Sequence, residues 1–200
     1  MQRGFMMQFD DTFSLRGHLL VAMPGMSDPR FARSVILICS HSADGAMGFV
    51  LNREIATPHF EDILEELGMD DESSLYEDQP RKVDVYQGGP VEKGRGFVLH
   101  SLDFGVAGTT KIADFCAMTA TLEALRAVAG LSPPDHALMM LGYSGWGAGQ
   151  LEQEIVDNGW LTVEATQQLL FETPTDGQYD AALALLGVNE SALSATSGRA

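Results

Sequence analysis

The sequence predicts an α+β fold with a mostly antiparallel or mixed sheet. Short apolar runs are separated by glycine and proline turns typical of hairpins, and helical stretches occur among them without strict strand–helix alternation. The chain has 200 residues, of which 45% are hydrophobic and 20% charged, as expected for one globular domain. We expect a single compact domain over residues 14–189, with a flexible segment over 1–13 and a flexible tail over 190–200.

The first half of the chain contains three predicted strands. An apolar run over residues 19–22 ends at the turn Pro24-Gly25, and a β-branched run over 35–39 predicts a buried strand. Gly45 and Gly48 surround a turn before the third run, residues 49–51. We therefore expect the second and third strands to pair as an antiparallel hairpin.

One amphipathic helix is predicted after this hairpin. Thr57 is a candidate N-cap with Pro58 at the first helical position, and apolar residues recur at i, i+3, i+4 and i+7 from Phe60 to Leu67. Residues 59–80 contain nine acidic residues and no Lys or Arg. We expect these acids to form a solvated face, and the alternative is a docking surface for a basic partner.

The second half of the chain mixes further strands and helices. Strands are expected over 83–86, 94–101 and 137–141, and helices over 121–130, 150–158 and 173–188, with Thr121 as a cap. The segment 108–118 is compatible with a strand or with the first turns of a helix. The glycine-rich stretch 142–149 is expected to follow the last strand and to lead into a helix.

The net charge of −16 restricts the partners of the protein. Proteins that bind DNA gain much of their affinity by neutralising phosphates with Lys and Arg, so this charge disfavours direct nucleic-acid binding. The exception would be a local basic patch, for which the candidates are Arg30, Arg33, Arg53, Arg81, Lys82, Lys93 and Arg95. We expect these cations to be solvated surface residues instead.

The cysteines and apolar runs are typical of a reduced, aqueous compartment. Cys39 and Cys116 lie in apolar or mixed segments without a CxxC pattern, so we expect buried free thiols. No two histidines lie close in sequence, so we predict no metal and no cofactor. No apolar run approaches the roughly 20 residues of a membrane helix, and the N-terminus lacks a secretory signal. We expect a cytoplasmic protein with no membrane association.

The segment LGYSGWGAGQLEQE, residues 141–154, has some features of an anion site. A glycine-rich loop before a helix directs backbone N–H groups and the helix dipole at an anion. However, Gln150 stands where the dinucleotide fingerprint needs Gly or Ala, and the Lys-Ser/Thr of the P-loop is absent. Ser144 resembles a nucleophile between strand and helix, but Trp146 stands where that motif needs Gly. We therefore favour a tight strand-to-helix connection beneath Trp146 over an anion site or a serine hydrolase.

Two other turns contain candidate binding residues. Asn52 and Arg53 end the third apolar run, where they could clamp a carboxylate or phosphate. We favour the alternative, in which Asn52 takes a turn conformation and Arg53 pairs with a surface acid. The turn Gly88, Gly89 and Pro90 could let a ligand or a second chain approach the backbone, and the simpler interpretation is a turn that requires positive φ.

Three segments together resemble the YqgE/AlgH family. They are GHLLVAMPGMSDPRFARSVILICSHSADGAMGFVLNR, YQGGPVEKGRGFVLHS and LGYSGWGAGQLEQEIVDNGWL. The matching positions are Pro24, Gly45, Gly48, Asn52, Arg53, Gly88, Gly89, Pro90, Val91, Ser144, Gly145, Trp146, Gly149, Gln150, Glu154 and Trp160. The resemblance implies a compact domain of the bacterial cytoplasm with a barrel-like sheet flanked by helices. Members are often labelled transcriptional regulators, and the resemblance supplies no reaction or cofactor.

The sequence contains no complete catalytic constellation, so we predict no catalytic residues. We favour a non-enzymatic regulatory or binding module that acts through an unidentified protein partner or small ligand. The alternative is a small-molecule or nucleotide-binding enzyme with a cleft near Arg53 and the 144–150 loop. A third hypothesis is an assembly subunit joined through strand edges or an apolar patch, and the oligomeric state stays open. The candidate binding residues are Asn52, Arg53, Gly88, Gly89, Pro90, Ser144, Trp146, Gln150 and Glu154.

Overall fold

The computed structural model describes residues 14–69, 83–130 and 133–196. The predicted flexible segment over 1–13 lies outside the described residues, as do the acidic residues that follow Met69 and the cations Arg81 and Lys82.

Nine strands and six helical segments make up the described chain. The strands are β1 His18–Ala22, β2 Val35–Ser42, β3 Gly45–Val50, β4 Val85–Gln87, β5 Val91–Ser101, β6 Thr110–Ala113, β7 Cys116–Thr119, β8 Ala137–Gly147 and β9 Trp160–Glu164. The helices are α1 Phe60–Glu66, α2 Leu122–Ala129, α3 Gln150–Val156, a π-helical turn Gln168–Glu172, α4 Gln178–Leu185 and α5 Glu190–Thr196.

The strands form one curled sheet in the order β6-β7-β5-β8-β3-β2-β1-β9. All neighbours in this path are antiparallel, and β4 pairs in parallel with β8. The sheet curls far enough for β6 to contact β2, and a Cβ on Gly17 would lie 3.3 Å from the Ile112 carbonyl oxygen. The result is a half-barrel flanked by helices, which confirms the predicted α+β class with a mixed, barrel-like sheet.

Alternating side chains place buried residues on both faces of this sheet. The largest cluster, inside the curl, includes Leu19, Leu37, Phe49, Leu99, Met140, Tyr179 and Leu183. A second cluster lies beneath α1 and α2 and includes Phe60, Leu64, Val98, Leu125 and Met139. A third surrounds α3 and includes Leu20, Ile36, Trp146, Leu151 and Trp160. The third cluster positions the candidate site.

The predicted hairpin of β2 and β3 is confirmed, and two local predictions are wrong. The N-cap of α1 is His59 rather than Thr57, and the carboxylate of Asp62 accepts the His59 backbone N–H at 2.7 Å. Leu67 lies at the C-cap of α1 and is 45% exposed, so it is not on the buried face. The acidic face of α1 is exposed as predicted, with Glu61, Asp62, Glu65 and Glu66 all solvent-facing.

The glycine-rich stretch after residue 141 is not a loop. It continues β8 as far as Gly147, because Ser144 and Trp146 pair with β3 opposite Gly48 and Ala46. The ambiguous segment 108–118 forms the two strands β6 and β7, which extend the sheet beyond β5.

The helix α5 lies within the segment for which the sequence predicts a flexible tail. Glu190, at its start, forms an ion pair with Arg33 on the loop before β2. The guanidinium of Arg33 also lies 4.4 Å from the ring centroid of Tyr179 in α4. Two C-terminal helices therefore contact this loop. No helix within the described residues is long and apolar enough to cross a membrane.

Candidate functional site

Two adjoining cavities lie beside the ends of β3 and β4 and along the second half of β8. A cavity of about 170 Å³ lies beside Arg53, and one of about 530 Å³ lies beside Trp146. Both are lined by Arg30, Phe31 and Pro90, so they adjoin along one surface. We call this surface the Arg53–Trp146 groove.

The groove brings together most of the residues predicted from the sequence. Those that line it are Arg53, Gly89, Pro90, Trp146, Gln150 and Glu154. Asn52, Gly88 and Ser144 do not line it. These three residues support the groove from behind, through the contacts described below.

Asn52 fastens the loop that forms one wall of the groove. Its Oδ1 accepts the backbone N–H of Val35 at 2.9 Å, and its Nδ2 donates to the carbonyl of Arg33 at 2.8 Å. Both ends of the amide are therefore bonded to backbone at the point where the loop enters β2. Asn52 acts as a structural clip, and its amide is not directed at a ligand.

Arg53 bonds to the same loop but not to an acid. Its Nη2 donates to the carbonyl of Ala32 at 3.1 Å and lies 3.4 Å from the hydroxyl of Ser34. Its buried Nε has no hydrogen-bond partner in the described chain. The expected pairing with a surface acid is wrong, because no described carboxylate lies within ion-pair distance of this guanidinium.

The Arg53 end of the groove is positively charged. Arg30, Arg53 and Lys93 line it, and no carboxylate is among the described residues that line it. Arg30 is already paired with Asp28, with Nη2 at 2.7 Å from Oδ2. Hydrogen bonding to Arg30 lowers the pKa of Asp28 below its usual value. Arg53 and Lys93 have no such partner among the described residues, so they supply the uncompensated charge at this end.

Gly88 and Gly89 are required by the close approach of two stretches of backbone. The Gly88 N–H donates to the Leu141 carbonyl and its carbonyl accepts from Val50, both at 2.8 Å. A Cβ on Gly89 would lie 2.2 Å from the carbonyl carbon of Tyr143. Neither glycine has positive φ, so that expectation is wrong. It is β8 of the same chain that approaches this backbone.

The Trp146 end is organised by one carboxylate. Glu154 Oε2 accepts the indole N–H groups of Trp146 at 2.9 Å and of Trp160 at 2.8 Å. Glu154 Oε1 accepts from Gln150 Nε2 at 2.9 Å, and Gln150 Oε1 accepts the Gly147 backbone N–H at 3.0 Å. The Phe31 ring lies edge-on to Trp160, with centroids 5.7 Å apart. These bonds connect β8, α3 and β9 under an aromatic surface.

Ser144 is placed as a core residue. It is 1% exposed, and its hydroxyl bonds at 3.5 Å to the carbonyl of Gly88. It lies within β8 rather than at a strand-to-helix turn, which agrees with the rejection of a nucleophile elbow.

The start of α3 does not resemble an anion site. The helix has seven residues, and Glu152 in its first turn accepts from His41 Nε2 at 2.7 Å. His41 Nδ1 accepts the Leu15 backbone N–H at 3.0 Å, so the proton of the neutral ring is on Nε2. A carboxylate, held in place by a histidine, thus occupies the turn where an anion would bind.

The thiols and metal-binding residues add no reactive centre to the groove. Cys39 and Cys116 are free and fully buried, and burial raises the pKa of both thiols, to about 12 for Cys116. No group of three or more His, Cys, Asp or Glu residues is arranged for a metal ion within the described residues.

Phe31 is the main groove residue that is absent from the predicted set. It lies at the junction of the two cavities, together with Arg30. The sequence feature that could have indicated its role is its position, because Phe31 is an aromatic residue in a polar loop after Asp28-Pro29. Loops often contain binding residues. From the sequence, Lys93 was named only as one of the cations that could form a local basic patch.

Comparison with known proteins gives a consistent result. The AlgH-like family model matches residues 19–191. A UPF0301 protein of Rhodospirillum rubrum is 50% identical over 186 residues, covering 93% of this chain and 94% of that protein. A UPF0301 protein of Brucella melitensis biotype 2 is 46% identical over 188 residues, covering 93% and 94%.

Two solved structures share the fold. The solution structure of the AlgH protein from Pseudomonas aeruginosa has a TM-score of 0.73 and 39% identity, covering 97% of this chain and all of that one. A crystal structure from Corynebacterium diphtheriae has a TM-score of 0.64 at 24% identity, covering 84% and 85%, and shows the fold alone.

The fold and groove define a class of α+β domains built on one curled half-barrel sheet. Within that class, the chain belongs to the AlgH-like family. The resemblance predicted from the three sequence segments is confirmed.

Proposed function

We propose that this protein is a non-enzymatic cytoplasmic binding module that acts in regulation through a small ligand or protein partner. The Arg53–Trp146 groove is the binding site. Its ligand is an anion, such as a carboxylate or phosphate group, attached to an apolar or aromatic part.

The observation that carries this proposal is the charge at the Arg53 end. In a chain with a net charge of −16, the described residues that line this end of the groove include three cations and no carboxylate. A guanidinium and an ammonium without acidic partners favour an anion, and Arg suits the two oxygens of a carboxylate. The neighbouring Phe31, which is half-buried, offers an apolar surface to the rest of the ligand, and Trp146, 7% exposed, lies in the same lining.

The polar groups at the groove are hydrogen-bonded or buried within the protein, which supports a non-enzymatic function. Both oxygens of Glu154 accept hydrogen bonds from the protein itself, and the Ser144 hydroxyl is buried. General acid–base or nucleophilic catalysis needs such groups to reach the substrate. The net negative charge supports indirect regulation rather than contact with duplex DNA.

A titration with 8-anilinonaphthalene-1-sulfonate, which joins an anion to an aromatic part, tests the site. The chain has two tryptophans, and both lie at the groove, so their indole N–H resonances in ¹H–¹⁵N spectra report binding. We expect both resonances to shift, and Arg53→Gln to weaken binding roughly tenfold through loss of a charged hydrogen bond. The matched control is Arg16→Gln, which removes an exposed cation outside the groove. Unchanged affinity in Arg53→Gln would contradict the proposal.

The regulatory part is tested separately with duplex DNA. We expect no gel shift at about 150 mM salt, where counterions compete strongly with weak cationic contacts. Tight, sequence-selective binding under these conditions would show that regulation is direct.

The convergence of Arg53 and Trp146 on one groove also favours the alternative, a small-molecule or nucleotide-binding enzyme. Native mass spectrometry of the freshly purified protein distinguishes the two. A retained nucleotide that is converted on incubation supports the enzyme, whereas a ligand that is retained unchanged supports the binding module.

A further inference from the structure

Two positive charges at the Arg53 end of the groove are unbalanced within the described chain. Of the three cations that line this end, Arg30 is neutralised by Asp28, with Nε 3.0 Å from Oδ1 and Nη2 2.7 Å from Oδ2. Arg53 and Lys93 form no ion pair with a described carboxylate. One singly charged anion would leave one of these two charges unbalanced, whereas a dianion would balance both.

The acidic residue next to Lys93 does not supply the missing charge. Glu92 pairs with Arg95, with 3.0 Å between Oε2 and Nη1. Neither Glu92 nor Arg95 lines the two cavities of the groove. The charge of Lys93 therefore stays available to a ligand.

The guanidinium of Arg53 has hydrogen-bond donors left for such a ligand. Its hydrogen bonds within the described chain all come from Nη2, to the Ala32 carbonyl and the Ser34 hydroxyl. Nε is buried without a partner, and Nη1 makes no hydrogen bond with the described residues. A buried donor without an acceptor costs stability, so an oxygen-rich anion would relieve this cost.

The Trp146 end of the groove disfavours a second anionic group. Its described lining includes Glu154 and Asp157, and its one cation is the internally paired Arg30. Glu154 accepts hydrogen bonds from indole and amide N–H groups, which are uncharged and do not balance its charge. The part of the ligand that lies at this end is therefore not anionic.

The cavity at the Arg53 end has room for a tetrahedral group. Its volume of about 170 Å³ corresponds to roughly five or six water molecules, at about 30 Å³ each. A phosphate group has five heavy atoms, whereas a carboxylate has three. The phosphate of a monoester also carries close to two negative charges at neutral pH, because its second pKa is about 6.

We propose that the ligand of the groove is a small phosphate monoester with an uncharged apolar or aromatic body. Its dianionic phosphate is bound by Arg53 and Lys93. Its body lies beside Phe31 in the cavity of about 530 Å³, a size typical of small-ligand pockets. This inference rests on the proposed function, since it identifies the anion bound at the same site.

Two probes that differ by one charge test the proposal. 2-Naphthyl phosphate and 2-naphthyl sulfate share the ring, the ester oxygen and a tetrahedral anion, but at about pH 8 the phosphate has two negative charges and the sulfate one. Calorimetric titration of the full-length protein should give a Kd about tenfold lower for the phosphate, because its charged hydrogen bonds are stronger. The Arg53 Nε–H resonance in ¹H–¹⁵N spectra should shift on binding, because this donor gains an acceptor.

Two variants locate the effect. Lys93→Gln should weaken binding of the phosphate about threefold to fivefold and that of the sulfate by less than about twofold, as expected for an exposed cation near a dianion. Arg16→Gln, the matched control outside the groove, should change neither Kd appreciably. Equal affinities for the two probes would overturn the phosphate assignment and leave the proposed function standing. Failure of both probes to bind, or binding that Arg53→Gln does not weaken, would overturn both.

Discussion

Trp146 and Trp160 donate their indole N–H groups to the same oxygen, Oε2 of Glu154, at 2.9 and 2.8 Å. Their rings meet edge to face, with centroids 6.3 Å apart. One tryptophan is in β8 and the other in the edge strand β9, which do not pair with each other. Glu154 therefore joins two distant parts of the sheet through α3, and the aromatic end of the groove depends on it.

Replacing this carboxylate should destabilise the fold. Glu154→Gln removes the negative charge from three hydrogen bonds and places an amide N–H₂ group against the N–H donors that the carboxylate accepted. We therefore expect the free energy of unfolding to fall by about 2–3 kcal/mol. Urea unfolding monitored by tryptophan fluorescence measures the change. The control Glu164→Gln alters an exposed carboxylate at the end of β9 and should cost less than about 0.5 kcal/mol. Equal stabilities of the two variants would show that the shared carboxylate contributes little.

The contact between Gly89 and β8 gives a second prediction. A Cβ at position 89 would lie 2.2–2.4 Å from backbone atoms of Tyr143 and Ser144, which cannot move without breaking the pairing of β8. We expect Gly89→Ala to cost about 3 kcal/mol or more, measured by thermal or urea unfolding. At Gly94, nothing lies within 4 Å of an added Cβ, and φ is not positive.

Gly94→Ala is therefore the matched control, and it should leave the free energy of unfolding within about 0.5 kcal/mol of the parent or raise it slightly. Similar behaviour of the two alanine variants would mean that the 88–90 turn can separate from β8 at little cost.

The hairpin of β2 and β3 could be predicted because its apolar runs and glycine turn are local features of the sequence. The extension of β8 as far as Gly147 could not, because Gly145 and Gly147 are held in a strand by pairing with β3, about a hundred residues earlier in the chain. A glycine-rich sequence has little strand preference of its own, so distant partners decide its structure. The prediction for this segment failed because long-range pairing overrides its local tendency.

The same reasoning applies to the groove. Arg53 was predicted from its position at the end of an apolar run and Trp146 from the glycine-rich segment after another run, but their convergence depends on the curl of the sheet. The donation from Arg53 to the Ala32 carbonyl, rather than to an acid, depends on the path of an irregular loop. Phe31 belongs to that loop, and no periodicity or motif in the sequence predicts its location. Turns of this kind are specified by contacts with the strands around them.

The buried His100 predicts a pH dependence of stability. Its Nδ1 lies 2.8 Å from the Ser101 carbonyl and must donate, so Nε2 accepts from the Thr119 hydroxyl at 2.9 Å. Burial lowers the pKa of His100 below its ordinary value, and the Ser101 hydrogen bond opposes this only in part. The unfolded chain therefore binds a proton at a higher pH than the folded chain does.

The contribution of His100 to the free energy of unfolding is complete above its unfolded-state pKa of about 6.5. It is lost as the pH falls towards the folded-state pKa, by at most about 1.4 kcal/mol per pH unit. Urea unfolding between about pH 7.5 and 5.5 measures the slope, within a range where ordinary carboxylates do not titrate. His100→Gln should flatten the slope, whereas His59→Gln, at an exposed position, should retain it. If the first variant does not fold, NMR of the parent protein gives the answer, and a His100 ring that titrates at or above the ordinary value would contradict the prediction.

The clip formed by Asn52 predicts that the groove wall and the strand β2 are stabilised together. Asn52→Ala removes one hydrogen bond to the Val35 N–H and one to the Arg33 carbonyl, so we expect a loss of about 2 kcal/mol in the free energy of unfolding. The Val35 amide should also exchange faster with solvent under native conditions, because Asn52 Oδ1 is its acceptor. Gln167→Ala is the control, since that side chain is exposed and makes no cap hydrogen bond, and it should change stability by less than about 0.5 kcal/mol. Unchanged protection of the Val35 amide in Asn52→Ala would show that the loop before β2 is held by Arg53 and the C-terminal helices instead.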